Sequence, residues 1–342
     1  MQKDIPIFVS GGTGFLGSYL LRYLIQKDYT NIFALKRSDS SMALVASVQD
    51  KIKWIEGDIL DVVLLEEIME QVKLVYHCAA MVSFDPKDYN QLMQVNVEGT
   101  ANMVNAALAA GVDKFLHVSS IAALGRNKNN SQVDEDSKWQ RNKFNTNYSI
   151  SKYLSEQEVW RGIHEGLNAT IINPSTILGS GFWEKGTGQL FTQVMQGLKF
   201  YPQGTTGFVD VRDVARLMII MMESETLSER VLANGDNLSY KSLFSEIAQG
   251  LDKKAPAIEV NAFIRESAWR LSWLASLVKR KPPVITKETA RMTAHSYFYQ
   301  NDKSKALFDF KYTPIHQTIQ ETARQMLESI AQKQQQTYLP LN

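Results

Sequence analysis

An apolar run, Ile5-Pro-Ile-Phe-Val-Ser10, passes directly into Gly11-Gly-Thr-Gly-Phe-Leu-Gly17 and from there into the amphipathic segment Phe15–Gln26. Strand, glycine-rich turn and helix in that order are what a dinucleotide pyrophosphate requires. Glycine lets the backbone bend sharply and approach the phosphates. The first N–H groups of the helix then donate to them, and the helix dipole adds favourable potential. Gly11, Thr13, Gly14, Phe15, Leu16 and Gly17 are therefore candidate cofactor-binding residues, with Gly17 also letting helix and strand pack closely. A plain strand-to-helix turn is the simpler use of such glycines; the strand before and the helix after favour the dinucleotide.

The pattern repeats beyond the turn. Ile5–Ser10, Asn31–Leu35, Ile52–Glu56, Leu74–Cys78 and Lys114–Ser119 are short apolar runs with the character of buried strands. Between them the spacing predicts helices, among them Tyr89–Ala110, which stops at Gly111. Another, Tyr148–Glu165, ends at Gly166 and leads to the strand Thr170–Asn173, after which the order breaks at Pro174. Alternation of this kind implies a parallel sheet with helices on both faces. The expected architecture is α/β: a doubly wound parallel sheet, the Rossmann fold, with a smaller, mostly helical substrate-binding domain. Residues 1–174 form the first domain, and 207–229 return to it through a short strand, Phe208–Val211, and an apolar helix. Residues 175–206 and 230–330 form the second, and the Gln-rich stretch 331–342 reads as a flexible tail.

Composition excludes several classes. In 342 residues, 37 basic side chains nearly balance 36 acidic ones, so no charge excess suited to nucleic acid exists. Cys78 is the sole cysteine, which rules out an intramolecular disulfide and makes a reducing cytoplasm the expected location. The first ten residues lack the make-up of a signal peptide, no apolar run is long enough to span a membrane, and no metal-ligand spacing occurs.

The second strand ends Ala34-Leu35-Lys36-Arg37-Ser38. A carboxylate there suits a free ribose 2′-hydroxyl and a basic residue suits a 2′-phosphate. No carboxylate stands at the strand end, and Asp39 comes two residues late, so Arg37 and Lys36 favour NADP(H) over NAD(H). Their alternative is a pair of solvated surface charges. Asp58 and Ile59 follow the third strand, where Asp58 is placed to accept from the adenine amino group or else caps a helix beginning near Leu60. His77 has no partner at ligand spacing and reads as a structural histidine, with Ala79 and Ala80 small enough to let the cofactor pass.

Tyr148-Ser-Ile-Ser-Lys152 puts a phenol and an ammonium on one helical face. A free tyrosine titrates near about pH 10, and a neighbouring ammonium lowers that value, so Tyr148 is suited to exchange a proton with a carbonyl or alcohol oxygen. Lys152 is also suited to hold the nicotinamide ribose. Ser119-Ser120 closes a strand at its carboxyl end, where ligands bind in such sheets and where a hydroxyl can orient the reacting oxygen.

With these motifs the chain resembles the extended short-chain dehydrogenase/reductases, the epimerase/dehydratase-like superfamily. The resemblance is carried by the turn at 10–17, Asp58, Ala79-Ala80, Asn96 in Asn96-Val-Glu-Gly-Thr100, Ser120, the Tyr148/Lys152 pair, Asn173-Pro174 and Phe208-Val-Asp-Val-Arg-Asp-Val-Ala215. It implies that Ser120, rather than Ser119, joins Tyr148 and Lys152 as the catalytic set, that Asn96 supports the lysine or the ribose, and that backbone after Pro174 meets the nicotinamide carboxamide. It also implies a homodimer built on Tyr89–Ala110 and Tyr148–Glu165.

Within that superfamily the chain is most similar to the dihydroflavonol-reductase-like and 3β-hydroxysteroid-dehydrogenase-like branch. The expected substrate is a small carbonyl compound or alcohol. Phe182, Trp183, Phe200 and Tyr201 suit an apolar or aromatic one, unless they simply pack the second domain. A sugar-nucleotide epimerase holding NAD is the enzymatic alternative. A non-catalytic NADPH-binding sensor or scaffold is the other, and retention of Ser120, Tyr148 and Lys152 together argues against it. Ala262–Val278, followed by Lys279-Arg280-Lys281, reads as a second-domain helix or a lid, with a membrane-surface helix as its alternative.

Overall fold

The computed structural model describes residues 1–126, 131–142, 145–226, 228–264, 266–267, 269–270, 287–333 and 338–341. The first elements are β1 (Ile7–Ser10), α1 (Phe15–Gln26), β2 (Ile32–Lys36), β3 (Lys53–Glu56), α2 (Val62–Met69) and β4 (Leu74–His77). They are followed by α3 (Tyr89–Leu92), α4 (Gly99–Ala110), β5 (Lys114–Val118), the two-residue strand β6 (Gln132–Val133), α5 (Asn147–His164) and β7 (Ala169–Pro174). Next come β8 (Thr176–Leu178), α6 (Gly188–Met195), β9 (Phe200–Tyr201), β10 (Thr205–Asp210), α7 (Val211–Glu223), β11 (Arg230–Ala233), β12 (Asp236–Ser239) and α8 (Tyr240–Gly250).

The main sheet is parallel and seven-stranded, in the order β11-β7-β5-β4-β1-β2-β3. Its central strands are largely apolar because both faces are covered, while the edge strand β3 is part-exposed. Ile7, Phe8 and Val9 are fully buried although successive side chains point to opposite faces. Against one face α1 and α7 bring Leu20, Leu24, Val214 and Met218; against the other α2, α4 and α5 bring Leu65, Ile68, Met103, Ala107 and Val159. The expected doubly wound sheet is therefore the observed one. Its order reverses between β1 and β4, which both lie beside the glycine turn.

Two boundaries differ from the sequence expectation. Residues 230–233 do not belong to the second domain: β11 pairs parallel with β7, Arg230 opposite Ile171 and Ala233 opposite Pro174, as the seventh strand. Four residues beginning with an arginine are too short to carry a recognisable pattern. The helix expected over Tyr89–Ala110 is a composite, with a 3₁₀ turn at Pro86–Asp88 leading into α3, a π-helical turn at Met93–Glu98 and then α4. Gly111 ends it in the left-handed conformation, φ +62°.

The smaller unit sets β8, β10 and β12 side by side and packs α6, α8 and the helix Ile315–Ala331 around Leu178, Phe191, Phe208, Leu243, Ile247 and Ile319. A buried ion group joins it to the main sheet. Arg212, at the start of α7, pairs with Asp210 and with Glu321 at 2.6 and 2.7 Å, while the Thr318 hydroxyl donates to Asp210 at 2.8 Å.

The expected flexible tail is partly docked. Leu339 is fully buried, its N–H donates to the Tyr19 hydroxyl at 2.7 Å, and that hydroxyl donates onward to the Ser180 carbonyl at 2.8 Å. The Arg22 guanidinium lies between the rings of Tyr19 and Tyr338, 4.3 and 3.8 Å from their centroids. The 262–278 segment lies largely outside the described residues. Leu339→Ala should lower the free energy of unfolding by roughly 2 kcal/mol, the low end for a buried leucine, in a denaturant titration. An unchanged midpoint would show that the terminal segment does not contribute to the core.

Candidate active site

The glycine turn sits at the carboxyl end of β1. Gly11 adopts φ +70°, its carbonyl accepts the Gly14 N–H at 3.0 Å, and a Cβ on it would stand 2.7 Å from the Ala79 nitrogen. A Cβ on Gly17 would run into the Gly11 carbonyl oxygen. Bare backbone is thus required where the turn meets both the end of β4 and its own helix. The α1 cap, Gly14, has no side-chain oxygen to offer, so the first-turn N–H groups of Phe15 and Leu16 stay available for an anion. The cradle fits a dinucleotide pyrophosphate.

At the end of β2 the two cations separate. Lys36 reaches across to Glu56 on β3 at 3.2 Å, whereas Arg37 is exposed and meets the exposed Asp39 at 3.4 Å. Asp58 accepts the Leu60 N–H at 3.0 Å through one oxygen. It does not cap the helix expected near Leu60: α2 begins at Val62 and is capped by Asp61. Ile59 beside it is buried.

Tyr148 is the second residue of α5, whose cap, Thr146, accepts the Ser149 N–H through its side chain. Lys152, one turn on, is 2% exposed and donates to the Val118 carbonyl at the end of β5 at 2.9 Å. The serines beyond that carbonyl have different partners. Ser119 is buried and donates to Glu156 at 2.6 Å. Ser120 accepts the Ala122 N–H at 3.1 Å, which leaves its proton for a hydrogen bond to Tyr148. The Phe84 ring stands edge-on to Tyr148, centroids 5.7 Å apart.

The electrostatics run opposite to the simple pair argument. Burial pushes the Tyr148 phenol up, with the Ser120 hydrogen bond opposing, so the phenol keeps its proton at neutral pH. Lys152 moves instead: burial lowers it to about 8, resisted first by Glu156 and then by Cys78. Burial also takes His77 down to about 3 and His117 well below its ordinary value, and raises the Cys78 thiol to about 12. His77 is fully engaged, with Ser10 and Thr100 hydroxyls at 2.8 and 3.0 Å from its ring nitrogens.

Asn96 is buried in the π-helical turn before α4. Its amide exchanges hydrogen bonds with the Met81 backbone at 2.7 and 2.9 Å and donates to the Ser151 hydroxyl at 2.9 Å, so it braces the loop after β4 against α5 and does not bond to Lys152. Ala79 and Ala80 line that loop, and Pro174 ends β7 opposite Ala233.

The aromatic loop divides. Trp183 and Tyr201 are core residues of the second unit, Trp183 bonding Ser329 at 3.1 Å, and Phe200 is exposed on its outside. Phe182 remains near the turn, where with Phe15, Lys185 and Thr187 it lines a cavity of about 100 Å³. The sequence reading missed Phe84, the stacked pair Trp139 and Tyr153 (4.1 Å between centroids), the buried Glu156 and its part-exposed partner Arg230. Only Glu156 carried a signal, four residues after Lys152. No cluster of metal-ligating side chains occurs among the described residues.

Residues 7–232, carrying the turn, Ser120, Tyr148, Lys152 and the parallel sheet up to Leu232, match the model of the NAD dependent epimerase/dehydratase family. The chain belongs to that family. It is accordingly an enzyme of the NAD(P)-dependent oxidoreductase, epimerase and dehydratase type, within the extended short-chain dehydrogenase/reductases. Among curated relatives it is 29% identical over 309 residues, 88% of each chain, to a putative dihydroflavonol 4-reductase of Synechocystis sp.. Among solved structures it superposes on gox2253 with a TM-score of 0.81 at 28% identity, covering 98% of this chain and 100% of that one. A UDP-glucose 4-epimerase of Thermotoga maritima shares the fold at 19% identity, with a TM-score of 0.78 over 95% and 100% of the two chains. No described helix is long and apolar enough to cross a membrane.

Proposed function

We propose that this family member is an NADP(H)-dependent reductase that interconverts a carbonyl and an alcohol on a small, largely apolar substrate. The observation that carries the reading is the placement of Tyr148 on α5, within hydrogen-bond reach of Ser120 and one turn from the buried Lys152 that donates to the Val118 carbonyl. The cofactor, when bound, supplies hydride to the carbonyl carbon. The residues that would hold it are the N–H groups of the 11–17 turn for the pyrophosphate, Arg37 for a 2′-phosphate, Asp58 for the adenine and Lys152 for the ribose.

What the chain itself contributes is the proton. Tyr148 gives its O–H proton to the substrate oxygen as the carbon is reduced, and the Ser120 hydroxyl orients and polarises that oxygen. A phenol pushed up by burial is an acid that stays loaded at neutral pH. The phenolate left behind is stabilised by the nearby ammonium of Lys152, and the tyrosine regains a proton before the next turnover. Phe84, edge-on to Tyr148, supplies an apolar wall on the substrate side.

The dihydroflavonol-reductase relative supports reduction over epimerisation, as does the basic end of β2. The epimerase resemblance, at 19% identity, speaks to the fold.

Tyr148→Phe should lower turnover by about 10²–10⁴-fold while leaving NADPH binding, read by cofactor fluorescence, within a factor of about two. Substantial remaining turnover would identify another acid. Arg37→Ala should raise KM for NADPH about tenfold, the loss of one charge-assisted hydrogen bond, and leave KM for NADH unchanged. An unaltered preference between the two cofactors would contradict the assignment of Arg37 to a 2′-phosphate.

A further inference from the structure

The carboxylate of Glu156 is fully buried on α5, one turn beyond Lys152. Four side chains donate to it: Ser119 at the end of β5 (2.6 Å), Asn173 on β7 (2.9 Å), Arg230 on β11 (2.8 Å) and, more distantly, Trp160 on its own helix (3.4 Å). The Asn173 amide also donates to the Ser120 carbonyl at 2.9 Å. α5 therefore grips three consecutive residues of the strand end. Lys152 holds Val118, Glu156 holds Ser119, and Glu156 acting through Asn173 holds Ser120.

Neutral groups would satisfy Ser119 and Asn173 equally well, and a buried carboxylate carries a desolvation cost that a bridge between neutral partners does not need. The charges around Lys152 indicate what the carboxylate adds. β4 presents His77, with Cys78 directly after it, and β5 presents His117. Burial keeps the thiol protonated and both imidazoles neutral. α5 itself presents the protonated Tyr148 and the carboxylate of Glu156. On its far side Glu156 faces Arg230, which is part-exposed and also donates to the backbone carbonyl of Glu135; the Glu135 carboxyl, raised by burial, accepts instead from the Leu232 N–H.

We propose that Glu156 is a positioning residue for the Ser120/Tyr148/Lys152 site: it ties the strand end carrying Ser120 to the helix carrying Tyr148 and Lys152, and it is the negative charge that answers the Lys152 ammonium. The proposal rests on the reading of those three residues as the reactive set. Burial lowers Lys152 to about 8 even with Glu156 opposing, so without that carboxylate the lysine is expected to lose its proton near neutral pH.

The test is a titration of the full chain carrying ¹³Cε-labelled lysine, with the Lys152 signal assigned by Lys152→Arg. Glu156→Gln, which keeps an oxygen for Ser119 and Asn173, should move the Lys152 midpoint down by about one pH unit or more, and Glu156→Asp should restore most of the difference. In turnover assays the alkaline limb of the Glu156→Gln profile should shift the same way, with activity recovering toward wild type at the acid end. An unshifted Lys152 midpoint, or a uniform loss of turnover at every pH, would overturn the proposal. Should Glu156→Gln fail to fold, the E156Q/R230M double variant leaves neither partner as a lone buried charge and is read by the same titration. The titration needs no substrate, so a failed reductase reading would appear as undiminished turnover in Tyr148→Phe and leave the Lys152 result standing.

Discussion

The ammonium of Lys152 donates to the Val118 carbonyl in a region almost closed to water, and the candidate site at this edge of the sheet is organised around keeping that group in place. Burial of a cation is unfavourable unless dipoles and countercharge replace the lost hydration. Here the replacement comes from a strand-end carbonyl and from Glu156 one turn along the same helix. The Val118 contact and the Ser119 hydroxyl that donates to Glu156 together fix the spacing between β5 and α5. They thereby set Ser120 against Tyr148, because Ser120 lies two residues beyond the carbonyl that Lys152 holds.

The opposite wall of the site is set by close approach of bare backbone. Gly11 packs against the Ala79 amide and Gly17 against the Gly11 carbonyl, so β1, β4 and α1 converge where the strand order reverses. The second unit is then anchored to this frame from two directions. Arg212 links the β10–α7 junction to the helix Ile315–Ala331, and the Leu339 segment closes over α1 while Tyr19 holds the Ser180 backbone. The loop bearing Gly179, Gly181 and Phe182 is thus held next to Phe15, at the edge of the cofactor turn.

Much of this was legible in the sequence wherever a local rule governs. Phe15–Gln26 has the predicted bounds, and Gly111 and Gly166 follow helix ends with positive φ. The turn and the Tyr148/Lys152 spacing carry their chemistry in a few adjacent residues. What escaped depends on long-range partners. Arg230–Ala233 is a strand because β7 offers it an edge, and Trp183 is core because Ser329, far along the chain, meets its indole. Spacing suggested that Lys152 would lower Tyr148. Three-dimensional burial raises the phenol and lowers the lysine, a reversal that no linear pattern contains. Glu156 stood in view four residues after Lys152, but its meaning came only with Ser119, Asn173 and Arg230 converging on it from three other elements.

The most direct test of a Tyr148-driven carbonyl reduction is NADPH consumption, followed by absorbance, with a panel of apolar and aromatic aldehydes and ketones. The account predicts substrate-dependent oxidation of NADPH with at least one member and formation of the matching alcohol in equal amount. No consumption with any carbonyl compound, together with interconversion of a nucleoside-diphosphate sugar by NAD-loaded protein, would contradict it.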